Sequence, residues 1–206
     1  MTEMPMFPLG TVLFPTAVLP LHVFEPRYRA LVQCCLDEPV PEFGVVLIER
    51  GSEVGGEDVR TSVGTVARVL DSHQFDDGRW VIAVVGVRRI RVLRWLDDDP
   101  FPIADVEDWP EAEPLVPLAE PYAAVGRLLR RALALKAELG EGAAPATVEL
   151  TEDPVVGSYQ AAALAPLGSL DQQRLLGEAG ATERLAALAG LLEEEADFLA
   201  QRLAAG

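Results

Sequence analysis

Apolar residues fall in short β-branched runs over the first half of the chain and at helical spacing over the second. "FGVVLIER" (Phe43–Arg50) and "VGTVARVLDSHQF" (Val63–Phe75) are bounded by Gly, Pro and acidic turns and read as strands. "FDDGRWVIAVVGVRRIRVLRW" reads as a hairpin. Asp77-Gly78 is expected to supply the positive-φ pair of a type I′ turn, and Gly86 to bend or bulge the long strand after it. "FPIADVEDW" (Phe101–Trp109) alternates as a closing strand. The stretch "FPLGTVLFPTAVLPLHVFEPRYRALV" (Phe7–Val32) places four prolines in an apolar run, which suits two short strands with sharp corners. Pro26 then opens a helix, "RYRALVQCCLDE", that runs to Pro39, since proline's fixed φ and missing N–H suit a first helical position. Five or six uneven strands with turns and one helix predict a curled sheet or pseudobarrel rather than a βαβ array.

The period then changes. "EDWPEAEPLVPLAEP" holds prolines at 110, 114, 117 and 121 among acids and marks a boundary between a β-rich region, 1–112, and a helical region, 113–206. Leu118, Tyr122, Val125, Leu129 and Ala132 follow helical spacing, and "GEGAAPAT" ends that helix. Asp153-Pro154 reads as an N-cap and first-turn pair, and Ser169 with Gln172 as a capping box. Leu185, Leu188, Leu192, Ala196, Leu199 and Leu203 form one stripe on a long final helix. The fold class is therefore α+β, with a curled sheet followed along the chain by a small helical bundle.

Charge narrows the partners. The chain of 206 residues has a net charge of −16, which repels phosphate backbones. Neither half offsets this: residues 1–114 hold 20 acids against 10 arginines, and residues 115–206 hold 13 acids against 7 bases. The start, "MTEMPMFPLG", lacks a basic region before its proline-broken apolar run, so no signal peptide is expected, and the longest apolar run, "WVIAVVGV", is too short for a membrane span. Adjacent Cys34 and Cys35 are expected to be reduced, buried or half-buried thiols of a cytoplasmic protein.

Catalytic constellations are not found. Lys136, the one lysine, is flanked by Leu135 and Ala137, so neither a P-loop nor a Ser–Lys dyad is in place. "VVGSYQ" and "PLGSLD" both miss the second glycine of a nucleophile elbow. His22 and His73 stand alone, the cysteines lack CxxC spacing, and Glu57-Asp58 and Asp97-Asp98-Asp99 lack the alternation of a calcium loop, so neither metal nor cofactor is expected. His22, within an apolar strand, reads as a hydrogen-bonded structural residue, and His73 as exposed near a hairpin turn. In "RRIRVLR", Arg89 and Arg91 share one strand face while Arg88 and Arg94 share the other, a stripe suited to pairing with the nearby acids. "EEE" at 193–195 reads as a solvated helix face. The chain is not expected to be an enzyme.

Several segments, in order, are similar to a known family: the opening "FPLGTVLFPTAVLPLHVFEPRYRALVQCCL", then "FGVVLIERGSEVGGED", "VGTVARV", "DGRWVIAVVGVRRIRVLRW" and "LDQQRLLGEAGATERLAALAGLLEEE". Together they resemble the N-terminal substrate-binding domain of Lon proteases across residues 5–204, and most closely the free-standing bacterial proteins made of that domain alone. "FEPRYR" is the most specific part. Gln173-Arg174-Leu175-Leu176-Gly177-Glu178 with Arg184-Leu185 matches the tail pattern, Gly177 being a departure. The resemblance implies a PUA-like pseudobarrel followed by a C-terminal helical bundle, and a non-catalytic module that binds unfolded polypeptide or a protein partner. The PUA-like label also brings an RNA- or small-molecule-binding regulator as the alternative, which the acidic charge disfavours.

A binder of unfolded chains needs exposed apolar surface. Phe24, Pro26, Tyr28 and Trp109 are the candidates to line a groove between barrel and bundle, with Glu25 and Arg27 pairing to a peptide backbone or its termini. The competing reading is structural: Phe24 and Tyr28 as core, Pro26 as helix starter, and Glu25 as an anion favoured at a helix N-terminus.

Overall fold

A computed structural model of the chain describes residues 2–50, 59–114, 116–142 and 144–205. They form two compact units, Met1–Pro110 and Glu111–Gly206. Ala112 already bridges to Gly180 and donates its N–H to the Ala179 carbonyl at 3.2 Å, so the helical unit begins before residue 113.

In the first unit, β1 (Thr2–Leu9), β2 (Val18–Val23), α1 (Pro26–Leu36), β3 (Glu42–Arg50), β4 (Val59–Gln74), β5 (Trp80–Trp95) and β6 (Ile103–Asp108) follow in order. The six strands form one sheet, β2-β5-β4-β3-β1-β6, and β5 also pairs with β6. This extra pairing closes a ring. The 16-residue β5 reaches β2 through Trp80–Val85 and β6 through Ile90–Trp95. All pairings are antiparallel except β1–β3.

The β4–β5 turn differs from type I′. Gly78 has φ 81°, but among the described residues Thr16 is the non-glycine position with positive φ, so Asp77 does not share it. Gly78 N–H donates to the Phe75 carbonyl at 2.8 Å and Phe75 N–H to the Arg79 carbonyl at 2.9 Å, a three-residue loop with glycine in the left-handed position. Gly86 does bulge β5: Val66 pairs with Arg88 and Ala67 with Gly86, leaving Val87 over. A Cβ at Gly86 would collide with the Phe14 carbonyl, so the corner before β2 needs glycine there.

Alternation in β2 buries Leu21 and Val23 and exposes Val18, Pro20 and His22. His22 is thus a surface residue, not the structural one its apolar neighbours suggest. The core gathers Phe7, Tyr28, Leu31, Phe43, Trp80 and Ile82 around α1. Each such side chain contributes about 1.5–3 kcal/mol by leaving water. Cys35 is buried in this core and Cys34 is exposed; both are free thiols. Burial, aided by Cys34 and Glu38, pushes the Cys35 thiol up to about 12, which makes it inert.

The second unit comprises α2 (Ala119–Glu138), α3 (Pro154–Leu164), α4 (Ser169–Leu176) and α5 (Ala181–Ala205). Asp153 caps α3 by accepting from the N–H groups of Val155 and Val156, with Pro154 in the first turn. The expected capping box at Ser169 is not formed. Gly168 is the N-cap residue, without a side-chain bond, and Ser169 is already helical. The α5 stripe is buried at Leu185, Leu188, Leu192, Ala196 and Leu199, while Leu203 is exposed; α2 packs along this helix. Arg184 is fully buried. Its Nε donates to Ser158 Oγ at 2.9 Å, its Nη2 to a Glu111 carboxylate oxygen, and its guanidinium lies 3.6 Å from the Tyr159 ring centroid. Tyr159 also donates its hydroxyl proton to Glu111.

Candidate functional site

The junction of β2 and α1 is built by a change of period. Alternation along β2 ends at buried Val23, Phe24 turns outward at 56% exposure, and Glu25 takes the N-cap place with extended dihedrals. Pro26 starts the helix as expected. Glu25 makes no capping bond through its side chain. It accepts instead from Arg27 Nε at 3.1 Å, so the charges of this turn satisfy each other. Arg27 also lies 4.5 Å over the Tyr28 ring. Tyr28 is core: it is 3% exposed and stacks on Phe7 at 4.1 Å between centroids.

A recess of about 230 Å³ opens beside this turn. Leu19 to Glu25 line one wall, and Phe7, Leu9, Thr11 and Tyr28 complete it. Phe24 also borders a second recess with His22, Phe75, Arg79 and Trp80. Phe75 is 44% exposed, with His73 edge-on to it at 4.9 Å. Of the candidates named from sequence, Phe24, Glu25 and Tyr28 share one recess. Pro26 faces another, with Arg29, Gln33 and Trp80. Trp109 borders neither. It lies under the guanidinium groups of Arg89 and Arg91, 4.3 and 3.9 Å from its ring centroid. Sequence reading missed Leu19, Pro20 and His22 as lining residues, and Phe75 as an exposed neighbour of Phe24. The alternation of β2 was the available signal for the first three.

The arginine stripe on β5 departs from the expected division by face: the register shift between Val92 and Arg94 sets Arg94 opposite Asp105, on the other side of the sheet from Arg88. Arg88 bonds Glu42 at 2.8 Å and Asp108 at 2.9 Å, and Arg94 bonds Asp105 at 2.6 Å. Arg89 is buried and Arg91 stacks on Trp109. Burial alone would raise the Glu42 carboxyl, but hydrogen bonds from Arg88 and Arg68 and their charges outweigh it and hold it below the usual carboxylate range. Among the described residues no group of three or more His, Cys, Asp and Glu is placed to hold a metal ion. Asp98 accepts from Arg60 at 3.2 Å, and the Glu57-Asp58 pair lies outside the described residues. No described helix is long and apolar enough to cross a membrane.

Two solved structures share the fold. The Lon N-terminal domain protein from Xanthomonas campestris is 29% identical, with TM-score 0.66 over 92% of this chain and 98% of its own. The N-terminal domain of Mycobacterium avium complex Lon protease, 19% identical, has TM-score 0.64 over 93% and 98%. Among curated relatives, Lon protease 2 of Herpetosiphon aurantiacus is 28% identical over 96% of this chain and 24% of its own length. Lon protease of Phenylobacterium zucineum is 29% identical over 95% and 24%. The chain thus spans about a quarter of the length of these relatives. The family model of the ATP-dependent protease La (LON) substrate-binding domain matches residues 3–194, and the chain belongs to that family.

Proposed function

We propose that this chain is a non-catalytic cytoplasmic module that binds unfolded polypeptide, built as a PUA-like pseudobarrel followed by a helical bundle. Phe24 carries the reading. It is a large apolar side chain held 56% exposed between two recesses, where a soluble protein keeps apolar surface for a partner. Phe75 extends that surface, and the aliphatic and aromatic walls of the larger recess offer a seat for an apolar side chain. The substrate-binding description of the family supports the same class of ligand. A net charge of −16 disfavours RNA as the alternative.

The test is fluorescence anisotropy with a labelled, reduced and carboxymethylated model protein. Wild type binds it, and Phe24→Asp weakens binding by about tenfold while leaving the melting temperature within about 2 °C, because the side chain is largely outside the core. No binding by wild type at high concentration overturns the function. Equal binding by Phe24→Asp moves the site elsewhere.

A further inference from the structure

We infer that the open edge of β2 takes up an extended polypeptide segment as an added strand. The inference rests on the polypeptide-binding reading and names how the chain would be held. Among the described residues β2 is terminal in the sheet order and pairs with β5 alone. Its hydrogen-bond phase follows from one anchor: Gly86 N–H donates to the Ala17 carbonyl at 2.9 Å, and these residues continue the register of Val18↔Val85 and Leu19↔Val84. Bonded and non-bonded pairs alternate along an antiparallel ladder. The backbone groups of Leu19, Leu21 and Val23 therefore face β5, and those of Val18, Pro20 and His22 face away. Pro20, which has no N–H, falls in the outward set, where no ladder bond is lost. The edge thus offers two donors, Val18 and His22 N–H, and three acceptors, the carbonyls of Val18, Pro20 and His22.

The recess follows this strand. Leu19 to Val23 form one side of it, and Phe7 and Leu9 of β1 stand among the residues that complete it. β6 covers β1 along Thr2–Pro5, and among the described residues no strand of the sheet fills the gap between β2 and Phe7–Leu9. A strand added to β2 would direct alternate side chains to the recess, where Phe7, Leu9 and Leu19 favour an aliphatic or aromatic residue. A second copy of this chain fits less well. Pro20 interrupts the donors at the centre of the edge, and both copies would carry −16.

The probe is a short monomeric peptide of alternating Val and Thr with lysine ends, compared with the same peptide N-methylated at every second residue, which removes edge donors but keeps the side chains. The unmodified peptide is expected to bind about tenfold more tightly. It should also slow amide hydrogen exchange at Val18 and His22. The double variant Val18→Pro with His22→Pro loses the same factor; should it unfold, the methylated peptide and the exchange data decide. Equal binding of both peptides, or unchanged exchange at Val18 and His22, overturns strand addition, while continued capture of denatured protein by wild type leaves polypeptide binding standing. Failure to bind peptide and denatured protein alike overturns both. Self-association of the free protein that the double variant abolishes assigns the edge to a second copy and also overturns the inference.

Discussion

Glu42 is the residue where charge and fold meet. It opens β3 and accepts from Arg68 at 2.7 Å and Arg88 at 2.8 Å, tying three adjacent strands of the sheet. Its pKa is lowered in the folded state, so the unfolded chain takes up a proton first as pH falls. The stability it contributes is complete above the ordinary value of 4.5 and is lost as pH drops from there through the depressed folded value. Glu42→Gln is expected to cost about 1–2 kcal/mol at neutral pH, less than a fully buried pair because both arginines are partly exposed. That difference should shrink as pH falls below 4.5, which urea titrations of both proteins at several pH values would read. That this arginine stripe pairs with nearby acids was legible from sequence, but its faces were not. Alternation sorts Arg94 with Arg88, whereas the register shift between Val92 and Arg94 turns Arg94 to the other face, opposite Asp105. The fate of Trp109 was not, because nothing in a linear pattern shows that two guanidinium groups will cover one indole.

Among elements, the β4–β5 hairpin was the most legible and its turn the least. Two 16-residue strands announce themselves by β-branched runs around Asp-Gly. The turn type depends on how many residues the ladder leaves over, a property of register that composition does not encode. The same holds for α4, whose Ser169 and Gln172 have capping-box spacing while the helix begins one residue earlier than that motif needs. Gly86 was expected to distort β5, and the close approach of the Phe14 carbonyl supplies the reason. Gly86→Ala forces backbone against Cβ and should destabilise the protein by about 2 kcal/mol or more, seen as a lower urea midpoint with an unchanged slope. An unchanged midpoint would show that the corner at Phe14 shifts freely.

At the scale of the whole molecule, the switch from strands, the last being Ile103–Asp108, to helices from Ala119 onward was readable from the change of period, but the role of Glu111 was not. It sits in a proline-rich acidic stretch that reads as linker, yet it is the carboxylate partner of the fully buried Arg184. Glu111→Ala leaves that guanidinium without its counter-charge and should destabilise the helical unit by about 3 kcal/mol. All three tryptophans lie in the other unit, so far-ultraviolet circular dichroism in urea follows the helices while indole fluorescence follows the sheet. A dichroism midpoint equal to wild type would show that Arg184 needs no carboxylate. The ring closure has a consequence in time. Thr2 pairs with Val106 and Pro5 with Ile103, so the outer half of β1 has no partner until about a hundred residues later in the chain have emerged. At roughly 5–20 residues per second of synthesis, that half-strand waits on the order of 5–20 s on the ribosome before its hydrogen bonds can form. Contacts of such sequence separation also slow the final folding step, which makes completion of the sheet late by construction.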